Sequence, residues 1–292
     1  MMINGKKTVG EILKDAVGML SKNKSITSPQ LDCEILLAFV LNCTRMDLIF
    51  RRDQELSDKH QTMFLACVQR RLKNEPISYI TNEKEFMSLS FFVQEGILTP
   101  RPETELLVEY IIDHFKTTDN PNILDLCTGS GAIAVSLAYY LKKAHITAVD
   151  KYEICLDVAK KNANHHGCAE RIKWINADVL NPFHLDGEFH CIVSNPPYIK
   201  DEVLSSLPKD VKCFEPEYAL NGGQDGLVFY RSITSFAGKL LMPGGMLAYE
   251  IGFDQGNDVK NIIAETHLFR TIDVLKDYAG LDRMVIAMKK DE

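Results

Sequence analysis

His190-Cys191-Ile192-Val193-Ser194-Asn195-Pro196-Pro197-Tyr198 is a short apolar run closed by two prolines. Its first five residues read as a buried strand. The prolines end the pairing, because neither has an N–H to give to a sheet. A rigid loop then stands at the carboxyl end of a strand, where open α/β sheets bind ligands. The side-chain oxygen of Asn195 and the backbone carbonyl of Pro196 are two acceptors that can face one planar NH2 group. Pro196 and Pro197 add no competing backbone donor, and Tyr198 offers a flat face for stacking. Such a clamp suits the amide of glutamine or asparagine, or the exocyclic amine of adenine or cytosine.

Upstream and downstream of this loop, from residue 121 onward, strand and helix patterns alternate, which implies a parallel sheet. Strands are expected at Asn122–Cys127, Ile146–Asp150, Ile172–Ile175, Phe189–Ser194 and Met246–Ile251, the last opened by Pro243-Gly244-Gly245. Helices are expected at Gly131–Leu141, near 153–165, at 225–240 and at 255–266. Arg270–Asp277 and Arg283–Lys289 read as two further strands joined by Tyr278-Ala279-Gly280. That terminal pair is unlike a plain dinucleotide-binding fold. It matches an α/β fold of the class I S-adenosylmethionine-dependent methyltransferases, a Rossmann-like seven-stranded mixed sheet whose antiparallel final strand inserts beside the fifth.

Asp125-Leu126-Cys127-Thr128-Gly129-Ser130-Gly131 joins the first of these strands to its helix. Glycines let backbone approach a ligand closely, and helix N-terminal N–H groups can meet a carboxylate. Asp150 ends the second strand about 20 residues later, the spacing that sets a carboxylate on a ribose diol. The glycines do not follow the G-x-G-x-x-G order of nicotinamide enzymes. With Asp178 after the third strand, the set suits a nucleoside whose tail is a small amino acid, as in S-adenosylmethionine. Asp178 is placed to accept from the adenine amine, with Val179 beside the ring. A methyl donor beside a clamp for NH2 specifies methyl transfer to a planar nitrogen. Two aligned acceptors polarise the N–H bonds and hold that nitrogen in line with the donor methyl, so no dedicated general base is required. Glu103, Glu105 and Glu250 read as outer groups only, and His165-His166 as surface.

Ahead of these motifs, residues 1–75 read as a small helical bundle for recognition. Val9, Ile12, Leu13, Ala16, Val17 and Leu20 carry helical spacing, Ser28-Pro29 opens a second helix, and Met46–Phe50 forms a short one. Ser57 caps another that Glu75-Pro76 stops. Residues 76–100 form a linker, with Phe91-Phe92-Val93 and Ile97-Leu98 as a hairpin. Residues 101–292 form the catalytic domain, entered by a helix opening at Arg101-Pro102-Glu103-Thr104-Glu105.

The net charge of −7 weighs against a protein devoted to gripping duplex phosphate. Arg51-Arg52 and Arg70-Arg71-x-Lys73 read as solvated helix faces. Eight cysteines without a C-x-x-C pair argue against a disulfide framework or zinc site and fit a reducing cytosol. No apolar run reaches about 18 residues, and Met1–Lys7 is polar, so neither a membrane span nor a secretory leader is expected.

The chain resembles the PrmC/HemK family of protein-(glutamine-N5) methyltransferases, which act on peptide chain release factors. The resemblance rests on Leu98-Thr99-Pro100-Arg101-Pro102-Glu103-Thr104-Glu105, the Asp125–Gly131 turn, Asn195–Tyr198 and Glu215-Pro216. It continues through Gly222-Gly223-Gln224-Asp225-Gly226-Leu227, Glu250-Ile251-Gly252 and Asp282-Arg283. It implies that Asn195, Pro196 and Tyr198 are catalytic and that, with Pro197, they hold the glutamine of a Gly-Gly-Gln loop. It implies that Cys127, Thr128, Gly129, Ser130, Gly131, Asp150, Asp178, Val179 and Asn195 contact S-adenosylmethionine, which leaves as S-adenosylhomocysteine. No metal, membrane or stable nucleic-acid partner is implied, and a cytoplasmic monomer is expected. Cys127 departs from the glycine usual there, and Thr99 from an isoleucine. The chain's own Gly222-Gly223-Gln224 belongs to a loop, not to a substrate. An amino-methyltransferase of DNA or RNA, and a non-catalytic interaction protein on the same fold, are the rival readings.

Overall fold

The computed structural model describes residues 7–181, 185 and 187–291, so the polar lead-in before Lys7 lies outside the described residues. The chain divides into two compact units, Met1–Glu83 with Pro208–Phe214, and Lys84–Leu207 with Glu215–Glu292.

The first unit is helical. In α1 (Val9–Leu20) the residues Val9, Ile12, Ala16 and Leu20 recur on one face, and all four are buried. Thr8 starts it with a capping box: its hydroxyl accepts from the N–H of Glu11, whose carboxylate accepts from the N–H of Thr8. α2 (Pro29–Leu41) begins on proline, whose fixed φ suits a first turn, while Ser28 makes no side-chain cap bond. α3 (Arg45–Phe50) repeats the capping box with Thr44 and Asp47, and Ser57 caps α4 (Asp58–Leu72). Ile12, Leu20, Leu36, Leu37, Phe64 and Val68 fill the centre.

Arg71 departs from the solvated face expected of it, while Arg70 stays exposed as expected. Arg71 Nε lies 2.7 Å from Asp32 Oδ2, both side chains nearly buried, and the same guanidinium donates to the carbonyl of Glu75. Arg70 pairs with Glu75 and donates to the carbonyl of Tyr79. They close the end of α4 against the Glu75-Pro76 corner, from which a short α5 (Ile77–Thr81) begins.

The second unit opens with β1 (Glu83–Phe86) and β2 (Leu89–Phe92), paired as a two-stranded sheet. The hairpin therefore turns at Met87-Ser88, both at positive φ (52° and 55°), and not between Phe91 and Ile97. Two left-handed residues match the twist of the flanking strands, as a type I′ turn requires. Ile97 instead packs with Cys155 and Val158. His166, expected at the surface, is half-buried and donates from Nε2 to the Ser90 carbonyl at 2.8 Å, while His165 is exposed.

Then come α6 (Pro102–Phe115), β3 (Asn122–Leu126), α7 (Ala132–Tyr140), β4 (His145–Asp150), α8 (Glu153–His165), β5 (Ile172–Asn176) and β6 (Phe189–Ser194). Short helices α9 (Asp201–Leu204) and α10 (Lys209–Phe214, part of the first unit) lead to α11 (Val228–Leu240). β7 (Leu241–Glu250), α12 (Gly256–Ala264), β8 (Phe269–Lys276) and β9 (Asp282–Lys289) complete the chain. The strand order is β5-β4-β3-β6-β7-β9-β8. Pairings are parallel from β5 to β7, and β9 is antiparallel to both β7 and β8.

Both faces are covered, which is why the parallel strands are apolar almost throughout. Ile123, Cys191 and Val193 join the core shared with Leu107, Ile111 and Val135. Their strand neighbours Leu124 and Ile192 join the opposite one, with Tyr230, Ile233 and Ile263. β7 starts five residues earlier than expected. Its register slips between Phe189 and Cys191, opposite Pro243-Gly244-Gly245, and Gly244 sits at φ +71° in the bulge.

Candidate active site

The order of connections reverses between β3 and β6, and ligands of open sheets bind outside the carboxyl ends at such a point. The expected residues meet there. Cys127, the first residue beyond β3, takes φ +61°, and Gly129 and Gly131 follow at +56° and +80°. This run of left-handed residues turns the chain sharply into α7. Gly131 also admits α8, since a Cβ there would stand 2.9 Å from the Ala159 Cβ. Asp150 Oδ2 accepts from the Gly129 N–H at 2.9 Å and Oδ1 from the Tyr152 N–H at 2.9 Å. The carboxylate is thereby aimed at the turn. Burial pushes it up, against the pull of those two N–H groups.

Cys127, Gly129, Asp150, Asp178, Val179 and Asn195 line one cavity, and Pro197 borders it. Thr128, Ser130 and Gly131 do not line it and build the turn instead. The Thr128 hydroxyl donates to Asp125 Oδ2 at 2.6 Å, and the Ser130 carbonyl accepts from Asn162. Asp178 accepts from the Leu180 N–H and from Asn181, and pairs with Lys151 at 3.0 Å. Tyr152 and Tyr218 also line the cavity, with ring centroids 3.7 Å apart in a stack. Nothing local in the sequence marks that pair, which joins the start of α8 to a turn far along the chain.

The Asn-Pro-Pro-Tyr loop leaves β6 at the rim of this cavity. Asn195 Nδ2 donates to Thr104 Oγ1 at 3.1 Å, and the Thr104 hydroxyl lies 2.5 Å from Glu250 Oε2. Among the described residues no hydrogen bond reaches Asn195 Oδ1 or the Pro196 carbonyl. Tyr198 turns to a neighbouring pocket with Arg101, Glu103, Glu250 and Arg283. Its hydroxyl donates to Glu250 Oε1 at 3.4 Å, and burial with the Glu250 charge keeps the phenol strongly protonated. Glu250 thus backs this loop, in contact with Tyr198 and, through Thr104, with Asn195.

A second layer holds the loop. The Ile199 N–H donates to the Leu220 carbonyl and the Gly222 N–H to the Ile199 carbonyl, both at 2.8 Å. A Cβ on Gly222 would stand 2.7 Å from the Tyr198 Cα, and one on Gly226 2.5 Å from the Tyr198 carbonyl. The glycines of Gly222-Gly223-Gln224-Asp225-Gly226 therefore serve close backbone packing. Arg101 and Glu215, two residues of the resemblance, form an ion pair in the same unit.

This strand order, with a glycine turn after β3, an acid ending β4 and the Asn-Pro-Pro-Tyr loop after β6, defines a class I methyltransferase. Residues 11–81 match the PrmC N-terminal domain family and residues 102–208 the methyltransferase small domain. The release factor glutamine methyltransferase of Clostridium acetobutylicum is 42% identical over 88% of this chain and 90% of its own. That of Moorella thermoacetica is 40% identical over 98% of this chain and all of its own. A methyltransferase from Pyrococcus furiosus shares the fold, with a TM-score of 0.50 over 76% of this chain and 97% of its own at 19% identity. The chain belongs to the release factor glutamine methyltransferase family.

Proposed function

We propose that Asn195 Oδ1 and the Pro196 carbonyl hold the side-chain amide of the glutamine in a release factor's Gly-Gly-Gln loop, with Tyr198 packed on it. The adjoining cavity takes S-adenosylmethionine. The observation that carries this reading is a pair of acceptors on consecutive residues that receive no hydrogen bond among the described residues, at the rim of the cavity lined by Asp150 and Cys127.

The cavity residues fit that donor. Asp125 does not line the cavity: it is fully buried below the turn, and its Oδ1 has no hydrogen-bond partner among the described residues. Burial pushes its carboxyl up to about 7. Asp150 suits a ribose diol, and Asp178 Oδ1, which takes one bond from Leu180, has a lone pair left for an adenine amine beside Val179.

When bound there, S-adenosylmethionine supplies an electrophilic methyl, whose bond to sulfur breaks as its bond to nitrogen forms. The protein's part is orientation. Two acceptors take both amide protons, hold the nitrogen toward the cavity and shift electron density onto it. The surplus proton of the product leaves to solvent. Docking of the protein substrate falls to the helical unit, where Met46, Ile49 and Phe50 of α3 are exposed at 64%, 68% and 83%. No described helix is long and apolar enough to cross a membrane, and a translation factor as substrate sets the place of action in the cytoplasm.

Transfer of a labelled methyl group tests the reading. Release factor, the same factor with its Gly-Gly-Gln glutamine changed to alanine, and duplex and single-stranded DNA are offered in parallel. Label on the first alone is expected. Label on DNA would make the guest a nucleobase amine.

A further inference from the structure

An amide clamp has an ambiguity that the loop alone does not resolve. Asn195 presents an acceptor from one end of its side-chain amide and a donor from the other, and half a turn about its last bond exchanges them. A glutamine NH2 needs the acceptor. We infer that Thr104 and Glu250 are positioning residues that hold the Asn195 amide with its oxygen, and not its NH2, toward the substrate. The inference rests on the glutamine reading above.

Glu250 ends β7 and is 1% exposed; Thr104, in the first turn of α6, is 4% exposed. An ionised carboxylate only accepts, so the single Thr104 proton goes to Glu250 Oε2 across 2.5 Å. The Thr104 oxygen is then left as an acceptor toward Asn195, and only Nδ2 can satisfy it, at 3.1 Å. Oδ1 is thereby turned outward. A site fixed this way welcomes the NH2 of glutamine and offers nothing to the isosteric carboxylate of glutamate, whose charge would meet two acceptors.

The direction of the relay depends on the charge of Glu250. A protonated Glu250 can donate to Thr104, freeing the Thr104 proton for Asn195 Oδ1 and favouring the turned amide. The groups around Glu250 are Arg283 from β9, Glu103 in the first turn of α6 and Arg101 at its N-cap, the Tyr198 hydroxyl, and the Tyr230 hydroxyl on its backbone carbonyl at 2.9 Å. Burial pushes its carboxyl up to about 7, against the Thr104 hydrogen bond and the Arg283 charge. The acceptor-out state is the one populated above that pH.

The full-length enzyme, saturated with S-adenosylmethionine and given release factor, tests the relay through Thr104→Val, Thr104→Ser and Glu250→Gln. A misoriented clamp should lower kcat about 10²-fold in Thr104→Val and Glu250→Gln. Affinity for S-adenosylhomocysteine, measured by calorimetry, should stay within about threefold, and Thr104→Ser should recover kcat to within about threefold of the unaltered enzyme. The kcat of the unaltered enzyme should rise with pH through about 7, and Glu250→Gln should lose that rise. Unchanged kcat in Thr104→Val, no recovery in Thr104→Ser, or an acid limb kept by Glu250→Gln overturns the relay while the glutamine reading stands. No transfer to release factor by the unaltered enzyme overturns that reading and the relay with it.

Discussion

The side-chain amide of Gln255 donates to the Tyr198 carbonyl at 3.0 Å and to the Gly226 carbonyl at 3.1 Å. Its oxygen accepts from the Gly252 N–H at 2.9 Å, and the residue is 2% exposed. One buried side chain thus ties the Asn-Pro-Pro-Tyr loop to the glycine-rich loop and to the end of β7. Gln255→Ala leaves two carbonyls and one N–H without partners. At about 1 to 3 kcal/mol for each buried orphan, partly relieved by entering water, a stability loss of about 3 kcal/mol is expected. Urea denaturation measures it, and kcat should fall in parallel as the loop loosens. Unchanged stability would show that the loop is held by its other bonds.

Cys127 occupies a left-handed conformation, φ +61°, that favours glycine. A thiol on an unbranched Cβ is tolerated there, and burial raises it far above the ordinary thiol range, so it stays protonated. A β-branched side chain is the poorest occupant of that region. Cys127→Val should be less stable than Cys127→Gly by about 2 kcal/mol, with weaker donor binding. Thermal melts of the two variants, with and without S-adenosylhomocysteine, decide it. Equal stability would mean that the turn relaxes away from positive φ.

The legible parts of this fold are those whose cause is local. The double proline after β6, the glycines after β3 and the terminal strand pair each act through the backbone of the residues that carry them, so the sheet and the cavity rim could be read directly. The hairpin was misplaced because its turn residues, Met87 and Ser88, carry none of the Gly or Asn signature of left-handed positions. Long-range partners had no signal either. Thr104 and Glu250 are 146 positions apart, and the acidic first turn of α6 reads equally well as helix-dipole complement. Asp125 looked like part of a strand. Only three-dimensional packing shows that its Oδ1 lacks a partner among the described residues.

Asp125 also sets a pH dependence. Burial raises its folded-state carboxyl from the ordinary range to about 7, so the folded protein holds this proton more tightly than the unfolded chain. Its contribution to stability is then complete below the ordinary carboxylate pKa and is lost as pH rises through about 7. Asp125→Asn, which stays neutral throughout, should flatten the decline between pH 5 and pH 8 in chemical denaturation. Parallel profiles for the two proteins would place the titration elsewhere.

The central claim is that Asn195 serves the acceptor amide. Asn195→Ala, examined for folding, for S-adenosylhomocysteine affinity and for methyl transfer to release factor, tests it most directly. The folded state should persist, donor affinity should remain within about tenfold, and turnover should fall by about 10³-fold or more as a charge-stabilising acceptor is lost. Unchanged turnover, or loss of the folded state, would contradict the assignment.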